Sequence, residues 1–191
     1  MRFDFTGLGN SEGDFSNTNF SSNIQDLIAA SNYLSESFQA PKILVGHSLG
    51  GAAVISAATK LQEVRAVATI AAPSDPAHMH HLLRDSVAEI KQQGWAQVEI
   101  GGQQFKIKQQ FLEDVSQHNL EDALQVLDKA LLIMHSPKDK MIEIEHAYNL
   151  FEIARCPKSF VSLDTADHLL TNPADAEYAS KIIAAWVSRY L

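Results

Sequence analysis

Ser48 and His168 are the two residues whose types and settings best suit nucleophilic catalysis. A serine hydroxyl is a weak nucleophile at neutral pH and needs a base to take its proton as the new bond forms. An imidazole can be that base, with a carboxylate behind it to fix the tautomer and stabilise the transient imidazolium. Three acids could stand behind His168: Asp139, Asp164 and Asp167. Ser48 lies in Gly46-His47-Ser48-Leu49-Gly50-Gly51, a Gly-x-Ser-x-Gly spacing. Its glycines remove side chains where a sharp strand-to-helix turn would otherwise clash. The competing reading of Ser48 is a plain helix cap, and the surrounding elements decide between them.

Those elements alternate. Ile43-Leu44-Val45 reads as a strand buried on both faces, and Ala52 to Ala58 as a small-residue helix. Upstream, Arg2-Phe3-Asp4-Phe5 alternates like a strand, followed by the glycine-rich loop Thr6 to Gly13. That loop fails as a phosphate cradle because no helix opens directly on it. Ser22-Asn23-Ile24-Gln25 has a capping-box form, and Ile24, Leu27, Ile28, Leu34 and Phe38 share a helical face. Ala66 to Ala72 is a second buried strand ended by Pro73. Residues 74–128 break the rhythm with a helix over His78–Gln93, two alternating runs around Gly101-Gly102, and a helix over Phe111–Leu127. This helix-hairpin-helix insertion is expected to cap the site and exclude water.

The rhythm resumes with a strand over Ala130–Met134, a loop His135–Asp139, and a helix over Glu143–Ala154. That helix is expected to face inward through Ile144, Ala147, Tyr148 and Phe151. A last strand over Ser159–Leu163 leads through the histidine loop to a helix capped by Asn172 with Pro173 first. Its apolar face carries Ala179, Ile182, Ile183, Trp186, Val187 and Tyr190. Strands alternating with helices predict an α/β fold built on a mostly parallel, doubly wound sheet. Ligand sites in such sheets lie at the carboxyl ends of the strands, where Ser48, Asp139 and His168 all fall.

From Gly46 to Gly51, in its strand-turn-helix context, the chain resembles the α/β-hydrolase family. The resemblance extends to Arg2–Gly13, Ala71–His78 and Lys158–Asp164, which are similar to the hydrolase half of bifunctional α/β-hydrolase/OsmC-like proteins. It implies a single domain over 1–191 with a cap at 74–128, and a catalytic triad in the order Ser48, Asp139, His168. Asp139 is preferred because the family carries its acid after the penultimate strand. The N–H of Leu49 is implied as an oxyanion donor. The family takes a second such donor from a loop after an earlier strand, which has no counterpart here, so the fold is expected to be shortened at its N-terminal side. The elbow strand would then carry an open edge able to recruit a second copy.

The 191 residues carry a formal charge of −8 and 46% hydrophobic content, which fits a globular domain and disfavours nucleic-acid binding. No membrane-spanning run or signal-like segment is present in the sequence, so a cytoplasmic setting is expected. The lone Cys156 excludes an internal disulfide. No cofactor is expected. His78, His80 and His81 lack an evident further ligand at metal spacing, so a solvated helix face is the simpler reading. His47, Met79, Leu82 and Leu83 are candidates for lining a substrate pocket, and His47 is also placed to hydrogen-bond beneath the site.

The leading expectation is a serine hydrolase acting on a small-molecule ester or related acyl substrate. Against it stand a weakly active or non-catalytic hydrolase fold acting through association, perhydrolase chemistry on the same triad, and, remotely, a nucleotide-binding module.

Overall fold

The computed structural model describes residues 1–100 and 102–191. Its centre is a four-stranded parallel sheet in the order β1 (Ile43–His47), β2 (Ala66–Ile70), β5 (Ala130–His135), β6 (Lys158–Ser162). Register is even throughout: Leu44 sits beside Val67, Val67 beside Leu131, and Leu131 beside Lys158. The two middle strands are apolar and covered on both faces, as parallel strands must be when helices close over them. Val67, Leu131 and Ile133 point to one layer, which holds α1 (Phe20–Ser37), α2 (Leu49–Ala58) and α7 (Glu145–Ile153). Ala68, Leu132 and Met134 point to the other, covered by α8 (Pro173–Val187) through Ala179, Ile182 and Trp186. Alternate side chains of one strand therefore feed two cores.

α2 packs closely because alanine and glycine supply five of its seven buried residues, Val54 and Ile55 being the others. Ala52, Ala53, Ala57 and Ala58 are fully buried. A Cβ on Gly51 would stand 2.6 Å from the Cβ of Ala72, so a larger residue would push the helix off the sheet.

Residues 74–128 run between β2 and β5 without adding a strand to the parallel sheet, and their buried side chains join the core of α1, α2 and α7. They comprise α3 (Met79–Leu82), α4 (Arg84–Gln93), the antiparallel pair β3 (Trp95–Ile100) and β4 (Gln103–Lys108), α5 (Gln109–Val115) and α6 (Leu120–Val126). Ala96, Val98 and Ile107 turn the inner face of the hairpin into the core, while Lys106 lies over the outer Trp95 ring. Gly94 ends α4 in the left-handed region (φ 88°), as a helix stop followed by a strand requires. Ile100 pairs with Gln103. Gly101, in the two-residue turn expected between them, lies outside the described residues.

Several sequence expectations are corrected. Arg2–Phe5 is not a strand, because no neighbouring strand takes its backbone hydrogen bonds. β1 is buried on one face only: Leu44 and Gly46 are covered while Val45 is 49% exposed, and among the described residues β1 has β2 as its one strand partner. α1 starts at Phe20, not after Ser22. Asn19 is its cap, accepting from the Ser22 N–H while the Ser22 hydroxyl takes the Asn19 N–H. Phe38 lies beyond that helix and is exposed.

The single helix expected over Phe111–Leu127 is two, broken at 116–119 where Asn119 caps a fresh start. The helix expected over His78–Gln93 is likewise divided after Leu82. α7 buries Ala147 and Leu150, whereas Tyr148 is exposed. α8 begins as expected, with Asn172 accepting from Ala174 and Pro173 in first position. No helix among the described residues is long and apolar enough to cross a membrane.

Candidate active site

The elbow is built from backbone strain and absent side chains. Ser48 stands at φ 54°, ψ −131°, a region that ordinary side chains avoid at a cost of about 1–3 kcal/mol. Three features hold it there. Its N–H donates to the Ile70 carbonyl of β2 (2.9 Å), its carbonyl accepts from Gly51 (2.8 Å), and Gly46 leaves room for the turn. A Cβ on Gly46 would lie 2.3 Å from the Gly50 carbonyl oxygen. The Ser48 side chain makes no capping bond to α2, so its hydroxyl is free for other work. α2 begins at Leu49, whose N–H has no acceptor within the helix and faces the region above Ser48 with the positive end of the helix dipole.

Ser48, His168 and Asp139 meet in one hydrogen-bonded line although 120 and 29 residues separate the successive partners. His168 Nδ1–H donates to Asp139 Oδ2 across 2.7 Å, leaving Nε2 to accept the Ser48 hydroxyl proton at 3.0 Å. The other carboxylate oxygen of Asp139 accepts from the N–H groups of Met141 (2.9 Å) and Ile142 (3.0 Å). Burial alone would push the Asp139 carboxyl up. The bonds from His168, Ile142 and Met141 outweigh it and hold the group below the usual carboxylate range.

The alternative acids go elsewhere. Asp164 is exposed, and Asp167 accepts from the Thr171 N–H (2.9 Å) in its own loop. Beneath the acid, the fully buried His135 donates Nε2–H to the Ile142 carbonyl (2.8 Å) and so closes the loop that carries Asp139.

Above the line lies a cavity of about 280 Å³. Ser48, Leu49, Gly50 and His168 form its floor, Phe5, Leu8 and Phe15 one wall, and Met79, Leu82, Ile107 and Phe111 the cap side. Of the sequence candidates, His47, Met79 and Leu82 line it. Leu83 does not, being packed into the core beside the cap. Sequence reasoning missed Phe105, Phe111 and Met141, which line it as well. The hairpin pattern contained Phe105, but nothing in it indicated which face would meet the site.

The glycine-rich loop is a closed turn. Gly7 donates to Glu12 O and Leu8 to Phe5 O, while Thr6 N–H binds Asp26. What this segment brings to the site is the apolar pair Phe5 and Leu8.

His78, His80 and His81 do not share one set of partners, although the rings of His78 and His81 lie 5.5 Å apart. His80 bonds Ser116 and the Leu112 carbonyl, His81 is exposed, and His78 packs against His146 from α7.

Parallel sheet, strained elbow and covering layer define an α/β-hydrolase. The chain belongs to the hydrolase family described as serine aminopeptidase, S33 (Hydrolase_4), whose profile matches residues 1–121. It is 49% identical to the esterase domain of a Rhodothermus marinus protein, matching 94% of this chain and 73% of that one with a TM-score of 0.77. It is 25% identical over 182 residues to the mouse mitochondrial palmitoyl-protein thioesterase ABHD10, matching 92% of this chain. The chain spans 60% of that relative's length. The structure of mouse alpha/beta hydrolase domain-containing protein 10 shares the fold, with a TM-score of 0.79 at 22% identity over 98% of this chain and 77% of that one. Family and relatives together support hydrolase activity.

Proposed function

We propose that the protein is a serine esterase that cleaves neutral esters or thioesters with an apolar acyl group. The observation that carries this reading is the Ser48–His168–Asp139 line opening into a cavity lined mostly by apolar side chains, with Asn23 and His47 as its polar members besides Ser48 and His168. As Ser48 Oγ attacks the acyl carbonyl, its proton passes to His168 Nε2, and Asp139 stabilises the imidazolium. The carbonyl oxygen becomes an oxyanion, for which the Leu49 N–H, the first of the helix, is a backbone donor. His168 then returns the proton to the departing alkoxide or thiolate, leaving an acyl group on Ser48. Water, deprotonated by the same histidine, releases the acid.

The cavity's chemistry narrows the substrate. An aminopeptidase must hold a free α-ammonium group, and a buried cation needs a carboxylate or an equivalent set of acceptors. No Asp or Glu lines the cavity. An apolar cavity of about 150 Å³ accepts benzene, so this one has room for roughly a dozen non-hydrogen atoms. A medium-length acyl chain or a small aromatic acid fills it.

A panel of p-nitrophenyl esters and acyl thioesters against aminoacyl arylamides tests this reading. Turnover should peak at intermediate acyl length, with arylamides inert. Arylamide cleavage at comparable kcat/KM would overturn it.

The open flank of β1 favours a second, compatible role in association. Val45 is exposed, and beside it Met1, Phe3, Leu27, Leu34 and Ile43 form an apolar groove. Two copies joined edge to edge by a two-fold axis would pair β1 with β1 antiparallel. Light scattering at micromolar concentration should then give a dimer, and a monomer would rule the pairing out.

A further inference from the structure

Away from the catalytic line, the start of the cap meets the loop behind Asp139 at a cluster of three metal-ligating side chains. His78, in the turn Pro76–His78, is joined by Glu143 and His146, which are 65 and 68 residues further along. Each offers one donor atom within 4.8 Å of the others. His78 Nδ1 and His146 Nε2 are 3.1 Å apart, and Glu143 Oε2 is 3.9 Å from His146 Nε2. Ligands at 2.0–2.2 Å around a tetrahedral ion stand about 3.3 Å from each other, so the histidine pair is already near that spacing. The two imidazoles are mostly buried, and Glu143 is half exposed and free to swing inward.

We propose that His78, Glu143 and His146 form a binding site for a divalent transition metal of the zinc type, with water completing the coordination.

The surroundings fit that role. A ligating histidine usually donates its remaining N–H to a backbone carbonyl or another acceptor, which fixes the ring. His78 does so already, its Nε2–H directed at the Met141 carbonyl (3.3 Å). In the metal-free protein, Ser74 N–H donates to His146 Nδ1 (3.1 Å), and His146 Nε2–H therefore points at His78 Nδ1. On metal binding His146 exchanges tautomers. Nε2 gives up its proton and ligates, while Nδ1 takes one and donates it to the Ser74 hydroxyl, 2.9 Å away, and the bond from the Ser74 N–H to that nitrogen is given up. Two neutral imidazoles and one carboxylate suit a borderline ion and would hold magnesium or calcium poorly.

The position gives the site a consequence. Met141, which receives the His78 bond through its carbonyl, donates its N–H to Asp139. A metal here would clip the entrance of the cap to the loop that carries the acid.

Calorimetric titration of the metal-free protein with zinc, and the visible spectrum with cobalt(II), test the proposal. Wild type should take up one ion per chain, give the strong absorption of tetrahedral cobalt, and gain thermal stability as zinc is added. Glu143→Gln, at a half-exposed position that does not threaten folding, should weaken binding about 10–100-fold. His146→Gln should abolish it, and His80→Gln should leave it unchanged. Failure of wild type to bind zinc saturably below roughly millimolar concentration would overturn the site. So would equal binding by wild type and Glu143→Gln.

Discussion

His47 donates its Nε2–H to the main-chain carbonyl of His168 across 2.6 Å. The residue beside Ser48 in sequence thus holds the His168 loop in space, and the two rings lie 5.0 Å apart. Replacing His47 by Phe keeps the ring's bulk and removes the donor. The expected result is a fall in kcat of about tenfold with KM little changed, since the bond orients His168 and does not grip substrate. Gln, which restores an N–H donor, should recover part of the loss. A purely structural role would lower folded protein yield and leave kcat per active site intact.

Asp139→Asn keeps the size of the side chain but loses the acceptor that fixes His168 with its proton on Nδ1. The imidazole can then turn its other tautomer toward Ser48. Turnover of a p-nitrophenyl ester should drop about 10⁴-fold while substrate binding persists. Asp164→Asn and Asp167→Asn, at exposed positions with no hydrogen bond to the His168 ring, should each stay within about threefold of wild type.

Stability should fall on acidification, in two windows. Burial pushes the His135 imidazole below the ordinary histidine range, against the pull of the Ile142 carbonyl and Asp139. The folded state keeps it neutral, whereas the unfolded chain binds a proton below about pH 6.5. The unfolded state then holds more protons, so unfolding becomes easier as pH drops through that value. Asp139 adds a second loss below about pH 4, because its folded carboxyl sits below the unfolded value. Burial lowers His47 and His146 in the same way, so urea unfolding at pH 7 and 5.5 should differ by more than about 1 kcal/mol in wild type, and by about 1 kcal/mol less in His135→Gln. An unchanged slope in the variant would remove His135 from the account.

Gly46 and Gly50 should respond differently to alanine. At Gly46 the new Cβ would meet the Gly50 carbonyl oxygen at 2.3 Å, backbone against backbone, and the elbow must open. A loss of about 3 kcal/mol and of activity is expected. At Gly50 the nearest atom is the Phe5 ring at 3.4 Å, an ordinary contact, and the cost should stay under about 1 kcal/mol. Chemical denaturation of the two variants checks the contrast.

The meeting of Ser48, His168 and Asp139 was legible because each follows a strand whose apolar run is plain in the sequence, and parallel strands deliver their loops to one end. Neighbourhood was not legible. Alternation at Arg2–Phe5 shows which residues could face a sheet, not whether a strand lies beside them. The apolar run Ile43-Leu44-Val45 likewise cannot reveal that β1 is an edge. Two overlapping cap patterns, Asn19 with Ser22 and Ser22 with Gln25, competed for the start of α1, and the first won because it also buries Phe20. The break at 116–119 carried a signal in Ser116-Gln117-His118-Asn119, a polar stretch ending in a good cap. The meeting of His78 with His146 is a product of cap docking and had no local signature.

The most direct test of the account is covalent. A fluorophosphonate probe reacts only with a serine made nucleophilic by its surroundings, and intact-mass analysis reads the result without any knowledge of the substrate. Wild type should gain one adduct, mapped to Ser48, and Ser48→Ala should gain none. An unlabelled wild type, or equal labelling of Ser48→Ala, would contradict the claim that the Ser48–His168–Asp139 line is a working nucleophile.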